Sequence, residues 1–228
     1  MTLIITVFVV SAALIVGVLW GVYGRMSKGT EGFILALAGG ALLLSTTTEL
    51  VLPSKEATSM TWVAVWLLAG AALFSIANYI IDTRFQSSQG GGLLAAIAMD
   101  GIPENLALGV ALIGAGFHEV LALACSIFLS NLPEAAGGAK EMKSDGMSNR
   151  RIITLWTATA IILSLAAIAG YYLMDTASDK SLAAVRCLAA GAVIASLATE
   201  VFPTAFHQDH NLSGIAAALG VVMVMLLQ

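Results

Sequence analysis

The chain has 228 residues, 59% of them hydrophobic and only 11% charged, with a formal net charge of −4. So little charge over so much apolar sequence excludes a water-soluble domain of this size, and the mean hydropathy of +0.93 points to an all-α, polytopic membrane protein. The continuous apolar runs exclude a transmembrane barrel, whose strands alternate in polarity, and the lack of a basic surface excludes a nucleic-acid partner.

Taken in order, eight spans are expected, at roughly 2–22, 31–52, 61–81, 92–113, 118–139, 151–173, 182–206 and 212–228. The first apolar run is long and has no positive segment before it, so it reads as a span and not a cleaved signal. The loops are short and polar, and the chain reads as a single transmembrane domain over 1–228. Cys125 and Cys187 both fall within spans and read as buried, unpaired thiols. Placing the N-terminus outside puts seven basic residues (Arg25, Lys28, Arg84, Lys140, Lys143, Arg150 and Arg151) in the cytoplasm and three (Lys55, Lys180 and Arg186) outside. That bias predicts a plasma or inner membrane protein with both termini outside.

Span two reads Gly40-Ala41-Leu42-Leu43-Leu44-Ser45-Thr46-Thr47-Thr48-Glu49, and span seven reads Gly191-Ala192-Val193-Ile194-Ala195-Ser196-Leu197-Ala198-Thr199-Glu200. Gly, Ala, Ser, Thr and Glu recur at one spacing, and Pro53 or Pro203 follows. Between them, span four carries Asp100-Gly101-Ile102-Pro103-Glu104-Asn105 and span five carries Ser130-Asn131-Leu132-Pro133-Glu134-Ala135. A helix brings i and i+4 to one face, so Asp100 stands over Glu104 and Ser130 over Glu134. Each proline removes a backbone donor and frees a carbonyl one turn earlier. Spans two and seven cross in opposite senses, as do four and five. The pattern predicts an inverted repeat of three, two and three helices, with a substrate site near the midplane.

The acids expected inside the membrane are Glu49, Asp100, Glu104, Glu134 and Glu200, with no Lys or Arg at their depth. Arg186, the nearest candidate, is several turns from Glu200. Clustered carboxylates in a low dielectric cannot all ionise without a cation. Bound metal, bound protons, or the two in alternation resolve this, and alternation is a transport mechanism. Ser130, Asn131, Asn105, Thr48 and Thr199 offer neutral oxygens. The competing reading of a lone acid such as Glu49 is a protonated side chain bonded to a neighbouring helix. The Thr46–Thr48 run can bond back to helix carbonyls. His118 falls at a span end, and His207-Gln208-Asp209-His210 reads as a solvated loop, with metal collection at an entrance as the alternative. No metalloprotease, serine-hydrolase or phosphate-loop motif occurs, so no enzyme is expected.

These residues resemble the ZIP (Zrt-, Irt-like) family of divalent metal transporters, over nearly the whole chain. In span four the family typically has His-Asn-x-Pro-Glu-Gly; here Asp100 and Gly101 stand at the first two places, Pro103 and Glu104 match, and Asn105 replaces the last Gly. In span five Ser130 takes the place of His or Gln, Asn131, Pro133 and Glu134 match, and Ala135 replaces Gly. Glu200 fits the family's acid in span seven, and Glu49 stands where span two often has His. The resemblance implies inward transport of a divalent metal such as zinc, manganese or iron. The implied ligands are Asp100, Glu104, Glu134 and Glu200, assisted by Ser130, Asn131 and Glu49. Expected partners are the cation, the lipid bilayer and a second copy in a homodimer. Every expected transport-site His is absent. Oxygen ligands in their place predict a broad site at which manganese competes with zinc. A sodium/calcium-type exchanger and a ZIP-like protein without transport are the alternatives.

Overall fold

The computed structural model describes residues 2–85, 91–113 and 117–228. The side chains of Arg84 and His118 fall outside what is described. All regular structure among the described residues is helical. The elements are α1 (Thr2–Tyr23), α2 (Lys28–Thr46), a π-helical turn (Thr47–Val51), α3 (Leu52–Ala57), α4 (Met60–Phe85), α5 (Gly91–Ala111) and α6 (Phe117–Ser144). There follow α7 (Asn149–Met174), α8 (Asp179–Ser196), a second π-helical turn (Leu197–Val201), α9 (Phe202–Gln208) and α10 (Ser213–Leu227).

Eight spans were expected; among the described residues six helical segments are long and apolar enough to cross a membrane. They are Thr2–Tyr23, Lys28–Ala57, Met60–Ile81, Val120–Ser144, Asn149–Met174 and Asp179–Gln208. Helix α10 is apolar but has only 15 residues, short of the roughly 20 that span a hydrocarbon core. Helix α5 is the other segment outside the six, and it carries Asp100, Glu104 and Asn105. The molecule is an all-α, multi-pass membrane-type protein.

Local chemistry explains where the helices start and bend. Ser27 and Ser178 sit in extended backbone before α2 and α8, and their hydroxyls accept from the N–H groups of Thr30 and Ser181 at 3.1 and 3.3 Å. Both helices then widen for one turn just before a proline. The N–H of Leu52 bonds back to the carbonyl of Thr47, and that of Phe202 to Leu197. A proline ring presses on the carbonyl four residues earlier, here that of Glu49 or Thr199, and a wider turn relieves it. The prolines of α5 and α6, expected to free a carbonyl one turn earlier, produce no such widened turn. Those helices run unbroken through Pro103 and Pro133.

The helices pair closely as α1 with α6, α5 with α7, α4 with α8 and α2 with α10. All four seams close on glycine: Gly17 and Gly21 of α1 lie against Leu132 and Ala136 of α6, and Gly109 of α5 and Gly170 of α7 against Ala167 and Leu106. A Cβ at Gly40 would strike the Ala217 carbonyl and one at Gly220 the Leu37 carbonyl; Gly70 and Gly191 meet Leu188 and Leu67 in the same reciprocal way. Backbones this close gain dispersion and helix–helix contact that lipid cannot supply. The α1–α5–α6–α7 group meets the α2–α4–α8–α10 group chiefly where α2 crosses α6 and α8 crosses α5. An aliphatic core fills one half of this junction, with Leu42, Leu50, Leu108, Leu123, Ile127, Val193 and Leu197 buried together. The other half is hollow.

Candidate functional site

The hollow is a cavity of about 310 Å³. Asp100 and Glu104 reach it from α5, Ser130 and Glu134 from α6, and Ser196 and Glu200 from the end of α8 and its π turn. Gly137 and Gly138 keep the α6 wall low. Glu31 from α2 and Gln208 from α9 close round the wider end, with Glu141 and Thr204.

Glu104 of α5 and Glu134 of α6 come to the same cavity from separate helix pairs, because each follows a proline on an inward helical face. Glu104 is 3% exposed, although it is a carboxyl. Asp100 faces Glu200 and the Ser196 hydroxyl, with Glu134 and Glu104 beyond. Several polar atoms in this region are buried without a hydrogen-bond partner: Asp100 Oδ1, Ser196 Oγ, Asn105 Oδ1 and Asn131 Nδ2. Buried polar groups are nearly always satisfied, so such a concentration is a feature of a site and not of a packed core. The other Asn105 group is used, its Nδ2 donating to the Gly101 carbonyl at 2.9 Å. Among the described residues, no three His, Cys, Asp or Glu side chains converge closely enough to hold a metal ion as they stand.

Five of the residues singled out from sequence therefore share one cavity: Asp100, Glu104, Ser130, Glu134 and Glu200. Asn131 is buried beside them but is not part of the wall. Glu49 lies elsewhere, in the π turn after α2, where its Oε1 accepts from Gln228 Nε2 at 2.9 Å and from Thr48 Oγ1 at 3.3 Å. The expected threonine back-bonding is present at Thr47, to Leu43 at 2.8 Å, and at Thr48, to Leu44 at 3.1 Å. Thr46 Oγ1 has no partner.

Several residues of the site escaped sequence reasoning, Glu31, Gln208 and Ser196 among them. Glu31 was not singled out, yet it is 9% exposed and accepts from Gln208 Nε2 at 2.9 Å. Gln208 looked like part of a solvated loop, but it is the last residue of α9. Ser196 was matched to Ser45 only as a repeat. One signal for Glu31 was present: Gly137, one turn past Glu134, leaves the space its carboxylate occupies. His207 and His210 are exposed, and His210 Nδ1 is engaged by the Phe206 carbonyl at 2.7 Å.

Arg186 does not enter the cavity. Its guanidinium donates to the carbonyls of Val110 and Ile113 at 3.4 and 3.5 Å, beyond the end of α5. A cation suits the C-terminal end of a helix. Lys140 and Lys143 do the same for the end of α1, donating to the Met26 and Val22 carbonyls. Among the described residues, then, six carboxylates and no basic side chain line the cavity.

No family model matches the chain. It is 26% identical over 188 residues, 78% of its own length, to an Arabidopsis thaliana protein named "Putative zinc transporter". The chain spans 30% of that protein's length.

Proposed function

We propose that this protein carries a divalent metal cation across a membrane, in the manner of a ZIP-type transporter, through the cavity between α5, α6 and α8. The observation that carries the reading is a set of acids, buried or half-buried, gathered on one cavity with no basic side chain in its wall among the described residues. Such a set requires positive charge from outside the chain, as a metal ion, protons or both in turn. Asp100, Glu104, Glu134 and Glu200 are the proposed ligands, with Ser130 beside them and Asn131 in support; Glu49 is a lesser ligand on a different stretch of the path. The named zinc transporter to which the chain is similar points the same way. Because the acids do not converge as they stand, the ion would complete its shell with water, hydroxyls and the carbonyls freed by Pro103 and Pro133.

The proposed arrangement is eight spans in a three-two-three inverted repeat, both termini outside. Support comes from the helix pairing. Exchanging α1 with α7, α2 with α8, α4 with α10 and α5 with α6 turns α1–α6 into α5–α7 and α2–α10 into α4–α8, which are the close pairs observed. On the orientation that the basic residues favour, the cavity opens to the cytoplasm. An oxygen-only donor set favours a broad selectivity, with manganese competing against zinc.

The test uses purified protein in liposomes. Glu104→Gln and Glu134→Gln should each abolish uptake of zinc and manganese while leaving the melting transition intact. Uptake unchanged in both would remove the site from α5 and α6. In competition binding, Asp100→His combined with Ser130→His should sharpen the preference for zinc; an unaltered preference would show that these positions do not set it.

A further inference from the structure

Where α1 ends, a recess of about 320 Å³ is lined by Trp20, Arg25 and Met26 on one side and by Ala136, Lys140 and Lys143 of α6 on the other. Lys140 and Lys143 are one helical turn apart and share a face of α6. Their ammonium groups donate to the carbonyls of Met26 and Val22, which brings both to the same end of α1. Arg25 enters from the link between α1 and α2. These cations meet round one hollow, and among the described residues no carboxylate shares its wall. Gly24 belongs to the same wall, and a Cβ there would strike the indole of Trp20. Its missing side chain is what lets the ring fold over the rim.

Part of this charge serves the helix, because the carbonyl end of α1 attracts cations. That use takes a single N–H of each lysine, and an ammonium has more to give. Like charges gathered at a concave place repel one another and focus a positive potential on it. A phosphate relieves the repulsion, since its oxygens accept from ammonium and guanidinium groups together. What adjoins the hollow says which phosphate. Val16, Leu19, Trp20 and Tyr23 share one face of α1 at helical spacing, and Val16, Leu19 and Tyr23 are exposed. That apolar stripe follows the span and ends at the recess. Trp20 stands at the junction, and indole rings favour the headgroup level of a bilayer. A cationic hollow at the foot of an apolar stripe matches an amphiphile with an anionic head.

We propose that this recess binds the phosphate of an anionic glycerophospholipid, held by Arg25, Lys140 and Lys143, with an acyl chain lying along Leu19 and Val16. On the orientation that the basic residues favour, the lipid belongs to the cytoplasmic leaflet, where basic pockets between helices take up anionic headgroups. The site is separate from the cavity of acids. Ala136 lines the recess and Gly137 lines the cavity, so the body of α6 stands between them.

The test titrates the whole protein, purified in dodecyl maltoside, with dioctanoyl phosphatidylglycerol and counts bound copies by native mass spectrometry. One copy should bind at a concentration about tenfold or more below that needed for dioctanoyl phosphatidylcholine, which has the same chains and no net charge. Arg25→Gln, Lys140→Gln and Lys143→Gln should each weaken phosphatidylglycerol binding about fivefold and leave phosphatidylcholine unaffected. The paired change Arg150→Gln and Arg151→Gln removes charge from the start of α7, outside the recess, and should leave binding as it was. Equal affinity for the two lipids would overturn the site. So would a loss at the α7 pair as large as that in the recess, because loose attraction to a basic surface would then suffice. Inorganic phosphate that displaces the lipid at equal concentration would overturn the lipid assignment. If the lysine variants do not fold, Arg25→Gln, at a position outside every helix, decides.

Discussion

The π turn after α2 and the π turn after α8 hold the same motif in two different settings. Each follows a serine-capped helix, each contains a glutamate, and each has a proline two residues past its end. Glu200 opens into the cavity and faces Asp100. Glu49 is engaged by Gln228 and Thr48. The serines differ in the same sense. Ser45 donates to Ser126 of α6 at 3.2 Å, whereas Ser196, buried as fully, stands in the cavity wall facing Asp100. The half around Glu49 is closed by side-chain pairing and aliphatic packing; the half around Glu200 is open. One local sequence pattern thus serves two states of access, and the neighbours decide which.

The largest effect should come from neutralising the two glutamates separately. Glu200→Gln should reduce metal uptake about tenfold or more, a loss of about 1.4 kcal/mol or above in interaction with the ion. Glu49→Gln should leave most of the uptake, because its amide can still bond to Thr48 and Gln228. Equal losses in the two variants would break the comparison and place both acids on one ligand set.

The next test asks whether the halves share their packing as they share their motif. Gly40→Val and Gly191→Val should each destabilise the fold by about 1–3 kcal/mol, since both push a side chain into a facing backbone. Thermal unfolding in one detergent would measure this. A large loss at only one of the two would show that the seams are not equivalent.

The smallest effect concerns access. In a chain without Cys125 and Cys187, Thr204→Cys, at an exposed place in the cavity wall, should react readily with a water-soluble thiol reagent and Thr46→Cys slowly. Adding Ser45→Ala removes a hydrogen bond between helices, worth about 0.6 kcal/mol on average in membranes, and should raise the Thr46→Cys rate modestly. Matching rates at the two cysteines from the outset would end the distinction between an open and a closed half.

Much of this was legible in the residues. Apolar runs and short polar loops mark helices that lie close to the expected spans, because in a membrane every backbone group must be satisfied within its own segment. The Pro-Glu spacing placed Asp100, Glu104, Ser130 and Glu134 on inward faces, since i and i+4 always share a side. Glu31 and Gln208 were not legible, because their burial arises from a contact 177 positions apart in sequence. Nor were the π turns. A proline after Ser, Thr and Glu is equally compatible with a kink, a break or a widened turn, and packing selects among them. The separation of Glu49 from Glu200 was hidden for a related reason: a repeated motif records local geometry and is silent about which copy faces a cavity.

A widened turn is a regular helix carrying one residue more than it needs. Chain length is therefore a control on this molecule that composition does not reveal. Removing Thr47, or Leu197 in the other copy, would let the helix regularise while the segments on either side keep their register. The same deletion in the regular part of α2 or α8 would turn everything beyond it by about 100°. Loss of one residue should therefore be better tolerated at the two widened turns than one or two turns earlier.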